Sequence, residues 1–207
     1  MNIRTTLLRP WAKPLLFALA LLPLGSWVWA VVFGQLGANP AEALLRSSGD
    51  WTLRLLCLAL ALTPLRVALG IPALARFGRL MGLFVYFYAC LHLLAYAWFD
   101  MGFALADIAQ DITKRPFILV GFAAFVLLSL LALTSSKLAI KTLGGQAWKR
   151  LHRGVYAVAV LAILHFFWMR AGKNDFADVL LYAGVLALLL GWRLRHAWQT
   201  GERFRLV

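Results

Sequence analysis

Trp148-Lys-Arg-Leu-His-Arg-Gly-Val-Tyr-Ala-Val-Ala-Val-Leu-Ala-Ile-Leu-His-Phe-Phe-Trp-Met169 is the stretch whose reading decides the fold. Wound as an α-helix it runs about 33 Å, against about 30 Å for the hydrocarbon core of a bilayer. It opens on Trp148 and a basic cluster and closes on Trp168, as a membrane-crossing helix with interfacial anchors does. Two of the chain's four histidines, His152 and His165, lie inside it. An ionisable residue within a span costs a few kcal/mol on insertion scales, so both are candidate functional residues.

Working outward, the same character holds along the chain. Of its 207 residues 63% are hydrophobic, with a mean hydropathy of +0.80, which excludes a soluble domain. Apolar segments fall at roughly 11–33, 51–69, 80–99, 116–134, 148–169 and 177–196. In lipid every backbone group must be paired within its own element, so these are helices, and they lack the alternation of a membrane β-barrel. The expectation is an all-α integral membrane protein, a six-transmembrane-helix bundle in a single domain over 1–207. The first apolar run is too long for a cleavable signal core, and Trp27 and Trp29 make a poor cleavage site, so it reads as a retained span. Cys57 and Cys90 fall inside spans and read as small buried hydrophobes. Ser48 or Asp50, in the polar lead Ser47–Asp50, reads as a cap for the second helix.

The net charge of +13 has a topological explanation. With both termini cytoplasmic, the inner segments hold fifteen basic residues against one acid, Glu202. The outer segments hold six basic residues (Arg46, Arg54, Lys114, Arg115, Arg170 and Lys173) against seven acids. That is the positive-inside bias. It leaves no support for nucleic acid as a partner and makes anionic membrane lipid the partner of the inner face.

Depth places the histidines. His92 lies about 18 Å along the third helix and His165 about 25 Å along the fifth, both entering from inside. They are expected at similar depth in the outer half, where two imidazoles can ligate one haem iron from both sides. A proton relay or a transition-metal transporter would recruit carboxylates, and no Asp or Glu lies in a span core. His152, near the inner surface, could serve a second haem, a flavin or a quinone. His196, at the inner end of the last helix, reads as a solvated interfacial residue. Arg54 divides between snorkelling to the interface and pairing with a haem propionate. Arg79 divides between lipid contact and an anionic cofactor.

Certain residues in combination resemble a known family. They are Arg79-Leu-Met-Gly-Leu83, Leu91-His92-Leu93 with Tyr96, and Ile112-Thr-Lys-Arg-Pro116. The match continues through Leu133-Thr-Ser135, Leu143-Gly144 with Trp148, Leu151-His152, Val155-Tyr156 and His165. The chain resembles, over about residues 15–195, the haem-binding membrane subunit of bacterial periplasmic protein-methionine-sulfoxide reductase systems. That subunit sits in the ferric-reductase-like transmembrane superfamily with the NADPH oxidases. The resemblance implies haem b, with FMN as a further cofactor, and a multi-pass inner-membrane location. It implies electron input from the quinone pool or a cytosolic flavin reductase, and output to a periplasmic molybdopterin enzyme that repairs methionine sulfoxide. The chain would then be an electron-transfer subunit and not the catalytic one. By motif, His92, His152 and His165 match the family's haem-associated histidines. Arg79 stands where a two-haem oxidase places another histidine, which puts a symmetric second haem in doubt. Two other readings stay open: a ferric reductase of the same superfamily, and a non-redox metal or small-solute transporter.

Overall fold

The computed structural model describes residues 3–172 and 174–200. Lys173, Glu202, Arg203 and Arg205 of the charge balance lie outside them, as does the side chain of Arg4. All regular structure among the described residues is helical, and six helices are long and apolar enough to cross a membrane. The chain forms two compact units, Met1–Ala104 and Leu105–Val207, with three of these spans in each.

In the first unit a short α1 (Ile3–Leu8) precedes α2 (Ala12–Val32), α3 (Pro40–Ala68) and α4 (Gly78–Ala95). A 3₁₀ turn over Pro72–Phe77 leads into α4, and a π-helical turn over Tyr96–Asp100 ends it. Packing concentrates between α3 and α4. α2 joins them through Tyr88, whose side chain is fully buried. Its hydroxyl donates to the Ala20 carbonyl at 2.8 Å and accepts the Leu24 N–H at 3.3 Å. These two groups are the ends of one rung of the α2 ladder. Pro23, inside the helix, has no N–H and clashes with the preceding turn, which opens the helix to such a wedge. Trp27 packs edge-on to the same ring and donates to Ser47 Oγ at 2.9 Å.

α3 begins eleven residues before its expected start. Asn39, not Ser48 or Asp50, caps it, accepting the Glu42 N–H at 3.2 Å. Pro40 stands at the first helical position, where its missing N–H does no harm. Glu42, Arg46, Asp50 and Arg54 then follow at four-residue spacing, with Glu42 and Arg46 ion-paired. Hydropathy hid these turns because they are polar, yet they are good helix. Ser47–Asp50 is therefore helix interior, with Ser48 buried.

The second unit carries α5 (Leu105–Lys114), α6 (Pro116–Leu133), α7 (Lys137–Leu143), α8 (Gly145–His152), α9 (Gly154–Ala171) and α10 (Ala177–Gln199). Packing concentrates between α6 and α9, with α10 against α9. The fifth apolar segment is thus two helices, interrupted at Arg153 directly after His152. α5 and α7 occupy segments expected to be loops. Both are amphipathic, as in Leu105, Ile108, Ala109 and Ile112 against Asp107, Asp111 and Lys114, a pattern that suits a bilayer surface.

Two arginines expected in solvated segments are buried. Arg170, 8% exposed, pairs with Asp175 at 2.8 Å and reaches Asp178 at 3.8 Å. Arg193, 6% exposed, donates to the Tyr156 hydroxyl at 3.1 Å and lies over its ring. Large apolar side chains cover the outside instead, among them Leu22, Val32, Leu180 and Leu188, as expected when lipid is the solvent.

Candidate functional site

His92 projects from the last turns of α4 toward α3. Its Nδ1 lies 3.0 Å from the Leu45 carbonyl and 3.2 Å from Ser48 Oγ. Ser48 Oγ itself donates to the Leu45 carbonyl at 2.8 Å. A carbonyl can only accept, so the ring proton is on Nδ1 and, in the neutral imidazole, the lone pair is on Nε2. Half-buried His92 packs on Gly49, where a Cβ would stand 3.1 Å from Cε1.

His165 repeats this arrangement in the second unit. From α9 it reaches α6 and donates Nδ1–H to the Phe117 carbonyl at 2.7 Å. The ring lies on Gly121, where a Cβ would stand 2.8 Å from Nδ1. Nε2 again carries the lone pair. A histidine that donates its Nδ1–H to a backbone carbonyl has its tautomer and ring orientation set for metal ligation through Nε2. Each of the two is so prepared by its own unit.

His152 is arranged differently. Its Nδ1 lies 3.1 Å from the Trp148 carbonyl, one turn back in α8, and its Nε2 lies 3.2 Å from the Leu131 carbonyl of α6. Ser135 Oγ, 3.4 Å from Nε2, already donates to Leu131 at 2.7 Å. A neutral ring has one N–H, so it satisfies one of these carbonyls at a time. Ligation through Nε2 requires leaving Leu131. The ring also stacks on Trp148, at 3.9 Å between centroids, and Trp148 Nε1 donates to the Thr134 carbonyl at 2.9 Å. His196 stacks on Trp192 at 4.9 Å.

The arginine candidates both lie in the first unit. Arg79 is exposed and lines a groove of about 570 Å³ with Lys13, Arg76, Pro14, Phe17, Leu80 and Leu83. Three cations above an apolar floor suit an anionic ligand with an aromatic or isoprenoid body. Arg54 is exposed on α3 with its guanidinium over the Trp51 ring, 5.0 Å from the centroid.

Gly49 and Gly121 were not among the residues singled out from the sequence, and neither were the carbonyls of Leu45 and Phe117. A glycine inside an apolar helix, as in Val120-Gly121-Phe122, was the available signal. The carbonyls have none, since every residue carries one.

Residues 48–163 match the model of the family described as ferric reductase like transmembrane component. The match runs from just before Gly49 to just before His165. The chain is 61% identical over 95% of its length to the protein-methionine-sulfoxide reductase heme-binding subunit MsrQ of Polaromonas naphthalenivorans, covering 90% of that protein. The MsrQ of Bordetella pertussis is 54% identical, with 90% of each chain covered. That of Xanthomonas axonopodis pv. citri is 43% identical over 88% of this chain and 85% of its own. No solved structure matches. Six apolar helices together with this kinship make the chain a multi-pass protein of the bacterial inner membrane. By these identities and coverages it belongs to the family of MsrQ membrane subunits of protein-methionine-sulfoxide reductase, within the ferric reductase like transmembrane components.

Proposed function

We propose that the chain is a haem b electron-transfer subunit in which His92 and His165 would serve as haem-iron ligands. The observation that carries this reading is the repeated Nδ1–H to carbonyl bond, 3.0 Å at His92 and 2.7 Å at His165. It prepares both imidazoles for ligation through Nε2. The relatives are named heme-binding subunits, in agreement with a haem cofactor. Haem supplies a one-electron iron couple, and the protein supplies ligands, orientation and a dry surrounding.

Electrons pass in this reading from the cytoplasmic to the periplasmic side, both termini being cytoplasmic. The acceptor is a periplasmic molybdopterin methionine sulfoxide reductase. Input is from the quinone pool or a cytosolic flavin reductase. The groove of Lys13, Arg76 and Arg79 is the candidate inner site for FMN phosphate or a quinone. His152 is the candidate ligand of a second haem, at the cost of its contact with Leu131. Arg54 is the candidate partner of a haem propionate.

Optical and EPR spectra of the purified protein test the ligands. A six-coordinate, low-spin haem is expected, lost or severely depleted in His92→Ala and in His165→Ala and retained in His196→Ala. Wild-type haem content and spectra in both single variants would end the reading. A purified wild-type protein without haem would favour the transporter.

A further inference from the structure

His92 and His165 lean on neighbouring helices in one particular way. The accepting carbonyl belongs to the residue four before the glycine on which the ring lies: Leu45 before Gly49, and Phe117 before Gly121. In an α-helix that carbonyl faces the N–H of the glycine itself. Its second lone pair is the one an outside donor can use, and the Cβ of the residue four later is what would stand in the way. At Gly121 a Cβ would lie 2.8 Å from His165 Nδ1 and 2.9 Å from Cε1, and at Gly49 it would lie 3.1 Å from His92 Cε1 and 3.3 Å from Nδ1. The first pair of distances cannot exist without displacing the ring. The second is tight.

His152 supplies the contrast. It too faces a carbonyl four residues before a small residue, Leu131 before Ser135. There the small residue keeps a side chain whose Oγ donates to the carbonyl at 2.7 Å, as Ser48 Oγ does to Leu45 at 2.8 Å, and the ring arrives with Nε2 instead of Nδ1.

We propose that Gly49 and Gly121 are positioning residues for the iron ligands. By lacking a Cβ, each opens a helix carbonyl to an imidazole Nδ1–H, which holds Nε2 toward the metal and strengthens the ring as a donor. This rests on the ligand assignment above. Hydrogen bonding at Nδ1 raises the basicity of a ligating imidazole and so favours the ferric over the ferrous state. Removing that bond therefore raises the midpoint potential. Gly121 matters more than Gly49, because its Cβ clash is closer and the bond it protects is shorter.

Gly121→Ala and Gly49→Ala, purified as full-length protein, are compared with Gly184→Ala, an apolar-helix glycine with nothing within 4 Å of its Cβ position. Redox titration and low-spin EPR are the readouts. Gly121→Ala is expected to favour reduction by on the order of tenfold, about 59 mV for one electron, with altered EPR g values. Gly49→Ala is expected to shift the same way and less, and Gly184→Ala to match wild type. A haem-loaded Gly121→Ala with wild-type potential and EPR would overturn the proposal. If Gly121→Ala carries no haem, Gly49→Ala decides by the same two outcomes. Retention of haem in His165→Ala would instead place the failure in the ligand assignment.

Discussion

Removing one oxygen atom from the fully buried Tyr88 tests how the first unit is held together. In Tyr88→Phe the ring keeps its edge contacts with Trp27 and Phe87, at 5.5 and 5.3 Å between centroids. What is lost is the bridge from the Ala20 carbonyl to the Leu24 N–H. A net hydrogen bond is worth about 1 kcal/mol, and a buried group left without a partner costs about 1–3 kcal/mol. Were the two backbone groups to close onto each other, the change would cost under about 1 kcal/mol. Pro23 crowds the preceding turn and disfavours that closure, so the expected cost is about 2 kcal/mol. Tyr88→Ala also removes the ring and should cost about 4 kcal/mol or more. Equilibrium unfolding in mixed micelles, titrated with a denaturing detergent, gives both numbers. The penalty of Tyr88→Phe should shrink in a Pro23→Ala background, where α2 can straighten and close its own rung. A Tyr88→Phe protein within about 0.5 kcal/mol of wild type would refute the wedge, as would a penalty unchanged without the proline.

Three further outcomes are expected. Asp175→Asn should cost about 1–2 kcal/mol in the same assay, because it strips the buried Arg170 of its 2.8 Å partner, whereas Asp178→Asn, 3.8 Å away and exposed, should cost under about 0.5 kcal/mol. Reporter fusions after Val207 and within 134–147 should report cytoplasm, and those within 34–39 and 101–104 periplasm. A periplasmic C-terminus would reverse the proposed direction of electron flow. In stopped-flow absorbance, His152→Ala or Arg79→Ala should slow haem reduction by the donor and spare reoxidation by the periplasmic partner. Asp107→Asn with Asp111→Asn should do the reverse.

The six spans were legible because apolar runs of membrane length have few other uses, and His92, His152 and His165 stood out as ionisable groups inside them. The start of α3 was not, because Glu42, Arg46 and Asp50 lower the local hydropathy while Asn39 and Pro40 begin a sound helix. Arg170 and Arg193 read as solvated charges because what buries them is tertiary. Asp175 lies beyond the end of the helix that carries Arg170, and Tyr156 sits on a different helix from Arg193. The interruption at Arg153 falls between the polar α8, with Lys149, Arg150 and His152, and Gly154 at the start of the apolar α9, and the basic cluster read as the interfacial end of one span. The small-residue contacts of the histidines were hidden for a further reason: half of each contact is a main-chain carbonyl.

α3 is a 29-residue helix, about 44 Å long, in a bilayer whose hydrocarbon is about 30 Å thick. Counted back from Ala68, hydrocarbon covers about 20 residues and ends near Gly49. The ladder of Glu42, Arg46, Asp50 and Arg54 straddles that edge, so lipid thickness decides how many of its rungs are wet. Each ångström of mismatch costs a fraction of a kcal/mol. Counted this way, the contact between Gly49 and His92 lies near that edge, and acyl-chain length is expected to set how much water reaches that imidazole.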